Sequence, residues 1–263
     1  MKKKAVFFDI DGTLFLPDCG VPASTIEAID KLKKAGVQVV ICTGRARSMV
    51  PDNIISLGFD GIIAGAGTYV ECNGENIYCK NLDNAIAMEL ITDMRNAGFI
   101  PLPEGHLCSY FDNDVEDESY LKVLSSYFGQ ASIGLQPIPD DYSQLNVAKV
   151  SCRPGAECNK EMLMDKYSSD FNIIQHGRLL FEFIPMYTNK AIGIEKYLEH
   201  MGIEQENTYA FGDSLNDIDM LRFVGCGIAM GNSSKDLLEH IPNVTDSIYE
   251  DGIFNALEKF QII

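Results

Sequence analysis

The chain has 263 residues, of which 46% are hydrophobic and 22% charged, the balance of an ordinary globular protein with one large or two moderate domains. Its formal charge of -17, from 38 acidic against 21 basic residues, argues against nucleic acid or an anionic membrane as a partner, because both would be repelled. No segment approaches about 18 uninterrupted apolar residues, and the apolar stretch after the first lysines is too short for export, so we expect a soluble cytoplasmic protein.

The first predicted element is an apolar run, residues 5–8, that ends in two carboxylates, Asp9 and Asp11. A short apolar run before a turn signal, here Gly12 and Thr13, predicts a buried parallel strand. Ligands of open α/β sheets bind outside the carboxyl ends of the strands, which is where these two acids would lie. Taken alone, the pair is equally consistent with turn-forming acids that simply end the strand.

Helices and strands then alternate along the chain. An amphipathic helix over residues 22–36 is followed by a buried strand over 37–43, an interrupted helix over 45–58 and a third strand over 60–65. Alternation of this kind indicates a parallel sheet with right-handed crossovers.

The pattern changes near residue 67, where two short strands flank Asn73 and Gly74, a strong signal for a β-hairpin. Beyond the hairpin, mixed helices and strands indicate a small α+β domain over about residues 82–187. Within it we expect helices over 84–98, 117–129 and 157–167, and strands in LCSYF (107–111), NVAKVSC (146–152) and NIIQHGRLLFEFIP (172–185).

From Asn189 the alternation of helices and strands resumes. The simplest architecture is α/β, with a Rossmann-like parallel-sheet core made from residues 1–81 and 188–263 and an α+β cap domain inserted over 82–187. The elements expected in the last part are helices over 189–201, 215–223, 234–240 and 251–260, with strands in TYAFGD (208–213) and CGIAM (226–230).

A second acidic pair, Asp213 and Asp217, follows the strand TYAFGD. If a helix begins near Ser214, both carboxylates can project towards one end of the sheet. Alone, an acidic first turn is a common helix start that complements the helix dipole. Together with Asp9 and Asp11 it favours a site for a hard cation such as Mg²⁺, because clustered carboxylates repel one another unless a cation lies among them.

Two further residues point to anion binding. Thr43 ends the second strand just before a helix, where a hydroxyl and exposed backbone N–H groups can hold phosphate. Lys190 is predicted at the start of a helix, where the dipole disfavours a positive charge, and a bound phosphate would explain it. Each residue alone is also consistent with an ordinary role, Thr43 as a helix cap and Lys190 as a solvated charge.

Together and in this order, the four motifs resemble those of the haloacid dehalogenase superfamily of phosphatases. The insertion point of the cap and the stretches GCGIAMGNSS and VTDSIYEDGI are similar to the Cof-type sugar-phosphatase branch. Two departures from that branch are Ala66-Gly67-Thr68 after the third strand, which bears on how the leaving group is held, and Ala191 after Lys190. The motifs are Asp9-Ile-Asp11-Gly12-Thr13, Thr43-Gly44, Lys190 and Gly212-Asp213-Ser-Leu-Asn216-Asp217.

The resemblance implies an Mg²⁺-dependent phosphatase that works through an aspartyl-phosphate. By the family pattern, Asp9 is the nucleophile, and Asp11 protonates the leaving group and then activates water. Mg²⁺ would be bound by the Asp9 carboxylate, the Asp11 backbone carbonyl and Asp213, while Asp217 supports the metal and Lys190.

The resemblance also implies where the substrate binds. Lys190, Thr43 and backbone N–H groups would stabilise the transferred phosphoryl group. A cap excludes water and supplies specificity contacts, which favours small phosphate esters such as sugar phosphates over proteins or polynucleotides. The expected substrate-binding residues are Thr43, Gly44, Arg45 and Asn216 in the core and Arg178 and Glu182 in the cap, with His176 and Lys149 as further candidates.

The sequence does not match three other motifs that bind metal ions or nucleotides. The first acidic pair lacks the rest of an EF-hand loop, Gly65-Ala-Gly67 precedes a hairpin where a dinucleotide fingerprint needs a helix, and the sequence has no P-loop. Eight cysteines without C-x-x-C spacing and four histidines without metal-ligand spacing indicate neither zinc nor a disulfide framework.

Two alternative functions stay open. A phosphomutase on sugar phosphates would use the same aspartyl-phosphate but return the phosphoryl group, so a sugar bisphosphate and an isomerised product would reveal it. A low-turnover regulator that binds a phosphometabolite would not need the second acid, Asp11. In each case we expect a small phosphorylated metabolite as the partner, no nucleic acid or membrane, and a monomer or homodimer.

Overall fold

The structure, a computed structural model, describes residues 2–112, 115, 134–177 and 180–263. The helix predicted over 117–129 lies outside these residues. The contacts divide the chain into two compact units, which are Met1–Gly44, Ser56–Tyr78 and Asn189–Ile263 for the first, and Arg45–Ile55 and Cys79–Thr188 for the second.

The described strands and helices follow the predicted order closely. The strands are β1 (Ala5–Phe8), β2 (Gln38–Cys42), β3 (Gly61–Ala64), β4 (Tyr69–Cys72), β5 (Glu75–Cys79), β6 (Phe99–Glu104), β7 (Ser109–Phe111), β8 (Leu135–Pro137), β9 (Lys149–Pro154), β10 (Phe171–His176), β11 (Leu180–Pro185), β12 (Thr208–Gly212) and β13 (Cys226–Ala229). The helices are α1 (Ala23–Lys34), α2 (Asp52–Ile55), α3 (Asn84–Asn96), α4 (Lys160–Tyr167), α5 (Lys190–Met201), α6 (Ile218–Phe223), α7 (Lys235–Leu238) and α8 (Gly252–Lys259).

The first unit is built on a seven-stranded sheet in the order β13-β12-β1-β2-β3-β4-β5. The first five strands of this order pair in parallel, and β4 turns back antiparallel to β3. The turn between β4 and β5 has positive φ at both Asn73 and Gly74, as a type I′ hairpin turn requires, so the predicted hairpin is confirmed. It extends the core sheet at one edge.

Strand β1 is an interior strand of this sheet, between β12 and β2, and is buried on both faces. Ala5 and Phe7 pack in a cluster with side chains of α5, whereas Val6 and Phe8 pack on the opposite face with side chains of α1 and α8. A strand covered by helices on both faces reads as a continuous apolar run, which is why AVFF shows no polar alternation.

The second unit has a six-stranded sheet in the order β10-β11-β9-β6-β7-β8, with α3 and α4 contributing to its apolar core. Strand β6 is not predicted by the sequence pattern because Pro101 and Pro103 interrupt it. The two prolines alternate, so their missing N–H groups lie along one edge of the strand. The other edge pairs with β9 over six residues, which explains how the strand forms despite them.

Residues 45–55 group with the second unit, although the sequence predicts them as part of the core. Ala46 and Met49 pack against Ile100, Leu102 and Phe111 of that unit, contacts that join residues more than 50 positions apart and leave no local signal. No helix in the described residues is long and apolar enough to cross a membrane.

Candidate active site

Three of the predicted site residues follow the ends of neighbouring parallel strands in the first unit. Asp9 comes directly after β1, Thr43 directly after β2 and Asp213 directly after β12. Since β12, β1 and β2 are adjacent and parallel, their carboxyl ends share one edge of the sheet. Asp9 and Thr43 are both buried there, at 4% and 1% exposure.

Lys190 is the first residue of α5 and is almost completely buried. The side chain of the preceding Asn189 caps the helix by accepting from the Ile192 N–H at 3.0 Å. The Lys190 Nζ lies 2.6 Å from Asp9 Oδ1 and 2.5 Å from Asp217 Oδ1. Burial alone would lower the pKa of Lys190, but the two carboxylates raise it above its usual value, so the ammonium keeps its charge.

Asp217 lies in the tight turn that follows β12 and is fully buried. Its Oδ2 accepts from the backbone N–H groups of Asp213 and Ser214, at 3.0 and 3.1 Å, in a capping box with Ser214. Its Oδ1 faces Lys190. The helix-start role and the ionic role, which the sequence leaves as alternatives, are therefore filled by different oxygens of one carboxylate.

The two acids of the first pair have different surroundings. After Asp9 the chain turns sharply, since the N–H groups of Leu14 and Phe15 both donate to the Ile10 carbonyl. Asp11, within this turn, is exposed to solvent, whereas Asp9 is buried. A buried carboxylate beside an ammonium suits a nucleophile, and an exposed carboxylate is accessible to water and to an incoming substrate.

One side chain of the site, Thr13, has no role assigned from the sequence. The Thr13 hydroxyl is completely buried and donates to Asp213 Oδ1 at 3.1 Å, joining the turn after β1 to the turn after β12. The sequence shows a threonine in this turn, but its partner is 200 residues away, and only the fold brings the two together.

The three acidic residues of the core could hold a cation. Asp9, Asp213 and Asp217 each offer a carboxylate oxygen within 4.8 Å of the others. Burial and the Asp217 charge raise the pKa of Asp213 to about 7, and burial raises that of Asp9 despite Lys190. One ammonium is thus too little positive charge for three carboxylates, and a hard divalent cation with oxygen preference, such as Mg²⁺, fits this donor set.

The other predicted residues of the core lie near the same edge. Gly44 follows Thr43 and is half-buried, and Asn216 accepts from the Ser214 hydroxyl at 2.6 Å. Ala66, which departs from the family pattern, donates its N–H to the Thr43 carbonyl at 3.1 Å and has a positive φ of 52°.

The remaining predicted residues belong to the second unit. The Arg45 Nη1 donates to the Met49 carbonyl at 3.3 Å. Glu182 is buried and pairs with Lys149, whose Nζ also lies 2.9 Å from Glu104 Oε2. The remaining candidates, Arg178 and the side chain of His176, lie outside the described residues.

Replacing Gly12 with alanine is expected to lower kcat/KM by about 100-fold, the cost of a displacement near 1 Å, here of the candidate metal ligand Asp213. Gly12 has a φ of 84°, and a Cβ built on it would lie 2.3 Å from Asp213 Oδ2, so Asp213 must move. Gly20 is the matched control, since it has a φ of 70° with nothing within 4 Å of its Cβ. Both variants carry backbone strain of about 1–2 kcal/mol, but only Gly12→Ala should lose activity; equal losses would contradict the account.

The contribution of Asp213 to stability, measured in EDTA, is expected to disappear as the pH rises from about 4 to about 7. Folding raises the pKa of Asp213 from its ordinary 3.8 to about 7, so the folded state binds this proton more tightly than the unfolded state does. The stabilisation is fully present below a pH of 3.8, the ordinary pKa, and is lost as the pH rises through the folded-state pKa of about 7. Thermal unfolding of wild type and Asp213→Asn across this range measures it, and parallel Tm profiles for the two proteins would refute it.

Comparisons with known proteins agree with these observations. A family model for haloacid dehalogenase-like hydrolases matches residues 6–257. The Bacillus subtilis protein YwtE, a 5-amino-6-(5-phospho-D-ribitylamino)uracil phosphatase, is 29% identical over 95% of both chains. A solved hypothetical protein from Geobacillus kaustophilus is 31% identical, with a TM-score of 0.86 over 99% of this chain and 100% of the other. A solved sugar phosphatase of HAD subclass IIB is 27% identical, with a TM-score of 0.85 over the same shares.

Proposed function

Because this chain belongs to the haloacid dehalogenase-like hydrolases and is a phosphatase of that family, we propose that it hydrolyses small phosphate monoesters, sugar phosphates first, through a phosphorylated Asp9 and with Mg²⁺. The observation that carries the proposal is the buried contact of Lys190 with Asp9 at 2.6 Å, at the edge of the sheet that Asp213 and Thr43 share.

In the first step, a carboxylate oxygen of Asp9 attacks phosphorus. The new bond joins Asp9 to the phosphoryl group as the bond from phosphorus to the ester oxygen breaks. The leaving alkoxide takes a proton from the carboxyl group of Asp11, which must therefore hold a proton when the substrate binds. The exposure of Asp11 supports this role, since an incoming ester and the water of the second step can both reach the side chain.

In the second step, water is the nucleophile. Asp11, now a carboxylate, takes a proton from the water molecule while the water oxygen attacks phosphorus. The bond from phosphorus to Asp9 breaks, which returns Asp9 as a carboxylate and releases inorganic phosphate. Both acids thus end in their starting states.

Charge neutralisation governs both steps, because phosphoryl transfer depends mainly on positioning and on electrostatic stabilisation. Lys190 holds Asp9 and keeps a positive charge beside it, and Asp217 holds Lys190. The Thr43 hydroxyl and nearby backbone N–H groups would bind the phosphoryl oxygens. Mg²⁺, when bound by Asp9, Asp213 and the Asp11 carbonyl with support from Asp217, would neutralise charge on the phosphoryl group.

The substrate class rests on similarity. YwtE acts, by its name, on a phosphorylated ribityl compound, and the subclass IIB neighbour is a sugar phosphatase. Both support a phosphorylated sugar or polyol as the substrate here.

We further propose Arg45, Arg178 and Glu182 as contacts of the leaving group. The substitutions Glu182→Gln and Arg178→Met should then change the order in which the enzyme prefers the esters, measured as kcat/KM.

Phosphate release from a panel of esters tests the proposal. The panel contains sugar phosphates, nucleotides, flavin mononucleotide, pyridoxal phosphate and an aryl phosphate, each with Mg²⁺ or with EDTA. We expect release with Mg²⁺, little with EDTA, and the highest kcat/KM among the sugar phosphates. Release that persists in EDTA would contradict the metal requirement, and no release by folded protein would favour the phosphomutase or the regulator.

A further inference from the structure

Asn232 lies in the loop after β13 and uses both ends of its side-chain amide. Its Nδ2 donates to the Gly12 carbonyl at 2.8 Å, and its Oδ1 accepts from the Ile248 N–H at 2.9 Å. The two partners define the orientation of the amide, because one is a backbone acceptor and the other a backbone donor. Asn232 therefore joins the turn after β1 to a segment near the end of the chain.

The residue that Asn232 holds is the one directly after Asp11. The Gly12 N–H, which belongs to the Asp11–Gly12 peptide group, donates to the Phe15 carbonyl at 2.9 Å. The Gly12 carbonyl accepts from Asn232. Hydrogen bonds thus hold the peptide groups on both sides of Gly12. Its φ of 84° is a left-handed conformation that sets the direction of the backbone directly after Asp11.

We propose that Asn232 is a positioning residue that orients Asp11 through the Gly12 carbonyl, an inference that rests on the proposed role of Asp11 as proton donor. Asp11 is part of this turn and directly precedes Gly12, so the direction of its Cα–Cβ bond follows the backbone that the Gly12 hydrogen bonds hold. The hydrogen bond from Asn232 fixes that backbone. Asn232 itself does not exchange protons with the substrate.

This role predicts a dependence on the leaving group. An alkoxide leaving from a sugar phosphate needs a proton as the bond breaks, whereas 4-nitrophenolate leaves readily without one. A misplaced Asp11 should therefore slow the sugar ester more than the aryl ester. A residue that only supports the fold would slow both esters by the same factor.

Two substitutions and one control separate these cases. Asn232→Asp keeps an acceptor for the Ile248 N–H but offers no N–H to Gly12, and Asn232→Ala removes both contacts. Only the first adds a charge, so an effect common to both comes from the lost bond to Gly12. Asn255→Ala is the control, because the Asn255 amide donates to Asp246 and Glu250 of the same terminal segment and leaves Gly12 untouched.

The measurement is kcat/KM for glucose 6-phosphate and for 4-nitrophenyl phosphate, which reports the first phosphoryl transfer for each ester. In both Asn232 variants we expect the sugar ester to lose about 10-fold more than the aryl ester, a part of the 10²–10⁴-fold that general acid catalysis supplies. Asn255→Ala should leave the ratio of the two unchanged. Equal losses for both esters, or no loss, in the Asn232 variants overturn this inference alone, whereas wild type that hydrolyses neither ester overturns the proposed function with it.

Discussion

Asp9→Asn is expected to lower phosphate release by at least about 10⁴-fold, in the range seen when a covalent nucleophile is removed from an enzyme. An amide is a far weaker nucleophile than a carboxylate. The substitution also removes the negative charge by which Lys190 and Mg²⁺ would hold the side chain in position. The fold should survive, because Asn has nearly the shape of Asp and the site already holds excess negative charge. Initial rates with Mg²⁺ and the best ester of the panel measure the effect.

Asp30→Asn is the matched control for this substitution. Asp30 lies on an exposed face of α1, so losing its charge changes the net charge of the protein by the same amount without touching the site. We expect its rate to equal that of wild type. If Asp9→Asn kept a substantial fraction of the rate at an unchanged Tm, Asp9 would not be the nucleophile.

Lys149→Met is expected to destabilise the protein by about 3–5 kcal/mol, the range for breaking a buried ion pair by removing one partner. Lys149 is 3% exposed and lies between Glu104 and Glu182, which are 2% and 6% exposed. Burial alone would lower the pKa of Lys149, but the two carboxylates raise it above its usual value, so the group is charged. Without it, two buried carboxylates would face each other, and Ser151 donates to only one of them, Glu104. Urea unfolding of the two proteins measures the loss.

Lys166→Met provides the comparison within the same unit. Lys166 also lies between two carboxylates, Glu89 and Asp93, but its side chain is 44% exposed. Water screens such a pair, so we expect a much smaller loss of stability than for Lys149→Met. Similar losses of stability for the two variants would mean that burial does not determine how strongly Lys149 is held by Glu104 and Glu182.

The edge of the sheet where the candidate site lies could be predicted from local sequence. Asp9, Thr43 and Asp213 each follow an apolar run, and the ends of parallel strands meet whatever the packing details. Lys190 could be predicted as well, because a lysine at a helix start is electrostatically unfavourable without a negative partner. The structure supplies two such partners, the carboxylates of Asp9 and Asp217.

The contacts that orient these groups could not be predicted. The bonds from Thr13 to Asp213 and from Asn232 to Gly12 join residues at least 200 positions apart, and nothing in the local pattern selects one partner over another. The same holds for the partners of Lys149 in the second unit, since a lysine in a strand gives no sign of the two glutamates beside it.

Trapping the phosphorylated enzyme tests the central claim most directly. The protein, turning over a sugar phosphate with Mg²⁺, is quenched in acid and treated with borohydride, which reduces an aspartyl-phosphate to homoserine, and the peptides are then mapped by mass spectrometry. The account predicts homoserine at position 9 and none in protein incubated without substrate. Homoserine at another aspartate, or none while phosphate is being released, would contradict it.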